Sequence, residues 1–181
     1  MSWIETSTGN RFYMSNPDMH AYDIKEIAHA LSNTCRFNGH CKEFISVAEH
    51  SVLVAMMLPE EIKIFGLLHD ASEAYYGDVV TPLKDLLPTY QDLEKRCQFT
   101  VYEQLAGRQP IKQELQQLKK ADLKALKIEA RKLLPMCGSN WQCLDDVVVC
   151  PSMDVHVRCL EPRRAEELFL DAIGAINGGA A

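Results

Sequence analysis

Residues 62–77 read IKIFGLLHDASEAYYG, and Ile62, Ile64, Phe65, Leu67, Leu68, Ala71 and Ala74 make this run apolar on nearly every side. Such a segment predicts a helix crossing the centre of a bundle, not one lying on its surface. Gly77 is placed to stop it. The same run carries His69, Asp70 and Glu73. An imidazole or a carboxylate turned toward an apolar interior is costly unless it is paired or bound to a metal.

The flanking sequence extends the helical pattern. Ile24, Ile27, Ala28 and Leu31 follow Asp23 at helical spacing and predict a capped helix over 22–33. Val47, Ala48, Ser51, Val52, Val54 and Ala55 form an apolar helix that Pro59 ends and that contains His50. Thr81-Pro82 starts a short helix, and a longer amphipathic one runs from Tyr90 to Leu105. Over 111–134, Leu115, Leu118, Ala121, Ala125, Leu126, Ala130 and Leu133 repeat every three to four residues, with Asp122 on the apolar side. Pro162 opens a last helix to Ile176, followed by a frayed tail over 177–181. Two places read as β-structure: a hairpin around Thr8-Gly9-Asn10, and short strands at Val147–Val149 and Val155–Val157, where β-branched residues cluster.

Composition narrows the function. A chain of 181 residues that is 47% hydrophobic can close one sizeable core, which predicts a single domain over 1–181. A formal charge of −6 argues against a protein that coats DNA or RNA. No apolar run reaches the roughly 20 residues needed to cross a bilayer. The start lacks the layout of a signal peptide, and seven cysteines without a CxxC pair read as reduced thiols. The expected location is the cytoplasm.

Four residues on apolar helices could meet as metal ligands: His50, the adjacent pair His69 and Asp70, and Asp122. Two imidazoles and two carboxylates suit Mn, Fe, Co, Ni or Zn better than Ca. Taken singly, each has an ordinary structural reading, a hydrogen-bonded core histidine or a capping aspartate. Patterning alone therefore describes a helical bundle with a candidate metal site.

The runs SVAEHS at 46–51, LLHDASE at 67–73, GDVVTPLK at 77–84 and KKADLKAL at 119–126 together resemble the H…HD…D pattern of HD-domain metal-dependent phosphohydrolases. HDASEAYYGDVVTPLK is similar to their 5′-deoxynucleotidase, YfbR-like branch and to its phage and prophage relatives of YfdR type. SNTCRFNGH at 32–40 strengthens the prophage-type match, and the hairpin-like start fits it. The resemblance spans Ser32 to Leu126. The HD-GYP signature of cyclic-dinucleotide phosphodiesterases is absent.

This resemblance implies an all-α HD-domain bundle with small β additions, in which His50, His69, Asp70 and Asp122 hold one divalent metal, Mn and Co among the candidates. It implies that Glu73 orients or deprotonates the attacking water and that Asp78 lies near the leaving 5′ oxygen. On a helix Glu73 is i+4 from His69 and i+3 from Asp70, which puts it on their face. Arg36 fits the family's phosphate- and sugar-contacting arginine; Lys84 is the next candidate, and Lys119, one turn before Asp122, points to the same opening. Phe37 stands where the cellular enzymes have a Trp thought to exclude a 2′-hydroxyl, which leaves the choice of sugar open. His40 could face the pocket, or be a turn histidine.

The implied function is removal of phosphate from nucleoside 5′-monophosphates, deoxyribonucleotides first. One alternative is a dNTP triphosphohydrolase, which needs more cations along the phosphate tail. Another is a non-catalytic nucleotide-binding HD module, from which a ligand or the base would be missing. The expected partner is a small-molecule nucleotide, with no nucleic-acid polymer and no membrane, and exposed apolar faces leave room for a homo-oligomer.

Overall fold

The computed structural model describes residues 2–178, and they form a helical bundle with one small antiparallel hairpin. The hairpin pairs β1 (Trp3–Glu5) with β2 (Arg11–Tyr13), in the register Ile4 to Phe12, across a turn with Gly9 in the left-handed region. Eight α-helices follow: α1 (Ile24–Asn33), α2 (Val47–Met56), α3 (Lys63–Leu68), α4 (Glu73–Tyr76), α5 (Thr81–Lys84), α6 (Pro88–Val101), α7 (Lys112–Leu133) and α8 (Pro162–Gly178). Among the described residues no helix is long and apolar enough to cross a membrane.

The helix starts follow from local chemistry. The Asp23 carboxylate accepts from the Lys25 backbone N–H at 2.8 Å, and the Ser46 hydroxyl accepts from that of Glu49 at 3.1 Å, so each satisfies a donor that its helix leaves orphaned. Glu114 reaches back to the Ile111 N–H at 2.8 Å at the start of α7. Helix α2 is buried from Val47 to Ala55 and packs against α1, α3, α7 and α8, the central place that an apolar helix demands. Its contact with α3 is close: a Cβ on Gly66 would lie 2.7 Å from Leu58 Cδ1 and 2.8 Å from the Ala55 Cα.

Buried polar groups join the layers. Glu26 on α1 accepts from Tyr75 at 2.7 Å, pairs with His20 at 2.7 Å and accepts from Thr8 at 2.5 Å, while Phe12 stacks on Tyr75 at 4.3 Å. The hairpin, α1 and α4 are thereby fastened to one carboxylate. Glu49 of α2 accepts the backbone N–H groups of Arg158, Cys159 and Leu160 at 2.6, 3.0 and 2.8 Å, which aims the chain into α8.

Four expectations need correction. The segment 62–77 is not one helix. After Leu68 its bonds shorten to i→i+3, from Ala71 N–H to Leu68 O, Glu73 to Asp70 and Tyr75 to Ser72, so a tight turn separates α3 from α4. No strands form at Val147–Val149 or Val155–Val157. Val148 and Val155 are 82% and 70% exposed, and residues 151–156 wind into a 3₁₀ turn, because β-branched residues without a neighbouring strand have no ladder to join. The last helix runs to Gly178, so 177 and 178 are helical rather than frayed, and residues 179–181 lie outside the described residues. The helix expected to start at Tyr90 begins at Pro88 and ends in a wider π turn over 102–106.

A candidate metal centre

Three elements bring the candidate ligands together. His50 lies in the middle of α2, Asp122 in the middle of α7, and His69 and Asp70 in the tight turn between α3 and α4. His50, His69 and Asp122 each offer a donor atom within 4.8 Å of the other two, so this cluster could bind a metal ion. His50 Nε2 lies 3.4 Å from Asp122 Oδ1, and His69 Nε2 lies 4.0 Å from that same oxygen. Asp70 borders the group, its Oδ2 standing 3.2 Å from His69 Nε2 and 3.6 Å from His50 Nε2.

The donor chemistry fits a cation. Both Nε2 atoms are buried and make no hydrogen bond, which is costly for an imidazole unless something else occupies its lone pair. Their opposite nitrogens are anchored: His50 Nδ1 to Glu129 Oε1 at 2.7 Å, and His69 Nδ1 to the Gly66 carbonyl at 2.8 Å. A carboxylate or carbonyl behind the far nitrogen fixes the tautomer that leaves Nε2 free to bind metal.

Glu129 escaped sequence reading. It is fully buried on α7 and also accepts from Arg36 Nε at 2.9 Å, so one carboxylate holds both His50 and Arg36. Its position two turns beyond Asp122 on the apolar face of 111–134 was the only trace in the sequence. Arg36 is buried as well and turns Nη1 toward Asp70 Oδ2, 3.9 Å away. It is aimed by backbone pairing: Arg36 N–H donates to Ile45 O, and Cys35 and Ser46 form an isolated bridge that zips the exit of α1 to the entry of α2.

Glu73 stands one 3₁₀ turn beyond Asp70, and residues at that spacing eclipse. Lys84 Nζ touches its Oε1 at 3.2 Å and Glu94 at 2.5 Å, while Glu73 Oε2 is buried without a partner. Asp78 follows Gly77, close enough to feel the charges of Arg36, Asp70 and Lys84. Lys119 is exposed and bonds Asp122 Oδ2 at 2.9 Å. Phe37 holds a left-handed backbone, φ 57°, an outlier for a bulky residue; its ring lies 5.5 Å from the Arg36 guanidinium and 6.5 Å from Trp141. His40 lines a different cavity, of about 440 Å³, with Leu134, Met136 and Trp141. A smaller cavity of about 190 Å³ adjoins the cluster and is lined by His69, Asp70, Lys84 and Lys95 among others.

The charges are interdependent. Burial and Arg36 press the His50 imidazole down, but Glu129 and Asp122 outweigh them and lift it to about 9. Burial pushes Asp70 and Asp122 up, yet the two imidazoles hold both below the usual carboxylate range. Glu129 is likewise lowered, with Arg36 and His50 overcoming its burial. Glu73 goes the other way: burial, then Asp70 and Asp78, raise it well above a free carboxyl, against Lys84 and Arg36. Asp78 is raised, chiefly by burial. The carboxylates around His50 thus favour positive charge at the cluster, as they would a bound cation.

No family model matches the chain. An uncharacterised protein of Rhodobacter capsulatus is 32% identical over 111 residues, 56% of this chain and 57% of that protein. The uncharacterised protein YfdR of Escherichia coli is 37% identical over 178 residues, which cover 98% of this chain and 97% of YfdR. On that near-complete match the chain belongs to the YfdR family.

Proposed function

We propose that the chain is a metal-dependent hydrolase of the HD-domain type that removes phosphate from nucleoside 5′-monophosphates, deoxyribonucleotides first. The observation that carries this reading is the pair of buried Nε2 atoms of His50 and His69, which make no hydrogen bond and face two carboxylates. In this reading His50, His69, Asp70 and Asp122 hold one divalent transition metal, with Mn and Co to be tried first, then Fe, Ni and Zn. When bound, such an ion supplies Lewis-acid stabilisation of a phosphoryl oxygen and lowers the pKa of water.

The chain's own residues supply the rest. Asp70, Glu73, Asp78, Asp122 and Glu129 outnumber Arg36, Lys84 and Lys119, so a phosphate dianion needs extra positive charge to enter. Arg36 spends Nε on Glu129 and turns Nη1 toward Asp70 at 3.9 Å, a contact long enough for a phosphate to displace, and an arginine can grip two phosphate oxygens at once. Glu73, whose buried Oε2 makes no hydrogen bond, takes the proton of the attacking water. Asp78, in the field of Arg36 and Lys84, is the carboxyl that protonates the leaving 5′ oxygen. Phe37 packs beside Arg36 at the sugar. The triphosphate alternative asks for unengaged cations, whereas Lys84 is held by Glu73 and Glu94 and Lys119 by Asp122. Two of the lysines near the site are thus already engaged, which leaves less free charge than a triphosphate tail needs.

The test is to strip the protein with chelator and incubate it with dAMP, AMP and dATP, each with Mn, Co, Mg or no metal, resolving the products by chromatography. Metal-dependent orthophosphate from dAMP supports the proposal, and the dAMP/AMP ratio reports what Phe37 tolerates. Triphosphate from dATP replaces it with the triphosphohydrolase. No product from any nucleotide refutes hydrolysis and leaves a binding module.

A further inference from the structure

We propose that Lys95 is a substrate-binding residue whose ammonium takes the outer oxygens of the substrate phosphate. This rests on the phosphohydrolase reading and adds a residue to it. Lys95 lies on α6 and lines the cavity of about 190 Å³ that also contains His69 and Asp70.

The case is one of charge and of anchoring. Each other cation at the site is already engaged by a carboxylate: Arg36 with Glu129 at 2.9 Å, Lys84 with Glu94 at 2.5 Å and Glu73 at 3.2 Å, Lys119 with Asp122 at 2.9 Å. Among the described residues the exposed Lys95 makes no ion pair and no side-chain hydrogen bond, so its charge is available to a ligand. Its helix is pinned to the ligand-bearing turn. Gln98 Nε2 donates to Leu68 O at 2.7 Å, and Gln98 Oε1 accepts the Ser72 N–H at 3.1 Å. Lys95 is one turn before Gln98 on the same face, beside the cavity that both line with His69 and Asp70.

The size of the cavity selects what enters. Sites for whole drug-sized ligands occupy about 300–1,000 Å³, so a space of about 190 Å³ suits the phosphoryl end and not the nucleoside. A lysine acts on phosphate as a flexible point charge without bidentate geometry. It therefore contributes to binding and leaves the reacting bond alone.

The experiment uses the manganese-loaded protein, with KM and kcat for dAMP and calorimetric Kd for inorganic phosphate measured for wild type, Lys95→Gln and Lys95→Arg. Lys95→Gln should raise both KM and phosphate Kd about fivefold, the scale of one solvent-facing ion pair. Its kcat, manganese content and Tm should match wild type. Lys95→Arg should recover most of the loss, added salt should shrink the difference, and Lys124→Gln, an exposed lysine elsewhere, should change nothing. Unaltered KM and phosphate Kd in Lys95→Gln, with an active wild type, overturn this assignment alone. A wild type that takes up manganese but neither binds phosphate nor turns over any nucleotide overturns the hydrolase reading, and this one with it.

Discussion

Replacing Glu129 tests how the site is held. Its two oxygens accept from His50 Nδ1 at 2.7 Å and Arg36 Nε at 2.9 Å, all three side chains being buried. Glu129→Ala strands a buried guanidinium and an imidazole, and removing one partner of a buried pair costs about 3–5 kcal/mol. Glu129→Gln keeps the shape but brings one oxygen and one NH₂ to two N–H donors, so one donor meets a donor, for about 1–3 kcal/mol. The mutant should also bind manganese about 10–100-fold more weakly, as expected when the group behind a metal-binding histidine is lost. Urea unfolding of the metal-free protein reads the first quantity and metal titration the second. A Glu129→Gln protein within about 0.5 kcal/mol of wild type and with equal manganese affinity would refute the claim that this carboxylate positions His50 and Arg36.

Other expectations concern the site and the scaffold. His69→Ala and Asp70→Ala should lose both bound metal and turnover, whereas Glu73→Ala should keep metal and lose rate, as read by elemental analysis beside a phosphate assay; full activity in all three would remove the proposed mechanism. Gly66→Ala should destabilise the fold by about 1–3 kcal/mol, typical of overpacking, because its Cβ meets the Ala55 backbone, and should weaken metal binding because the Gly66 carbonyl holds His69. Glu26 is lowered from 4.5 to about 2, its burial being outweighed by hydrogen bonds from Thr6, Thr8, Tyr75 and His20. A depressed carboxyl gives stability that is complete above its unfolded pKa and is lost as pH falls through the folded one. Tm should therefore drop between about pH 4.5 and 2, and Glu26→Gln, less stable at neutral pH, should show a shallower drop over that window; an unchanged acid limb would exclude Glu26 as its source.

Much of the architecture was legible because it rests on short-range chemistry. Asp23 announces its helix by capping it, Pro59 and Pro162 mark an end and a start, and the apolar residues of Val47–Ala55 foretell a helix. His50, His69, Asp70 and Asp122 stood out as ionisable groups on apolar faces, and the structure gathers them. The valine runs at 147–149 and 155–157 misled, since β propensity acts only through a partner strand and none is adjacent. The break after Leu68 was equally hidden, because a helical pattern of apolar residues does not distinguish i→i+4 from i→i+3 bonding.

The amino-acid sequence by itself determined which segments become helices and which side chains would be expensive to bury. Only the tertiary structure decided who answers for that expense. Arg36 meets Glu129 across 93 positions, and His50 meets it across 79. Lys84 and Lys119 are drawn to carboxylates while Lys95 is left unpaired beside the ligands. Helical periodicity reports which face a residue occupies, but the partner of a buried charge is fixed by how distant helices pack.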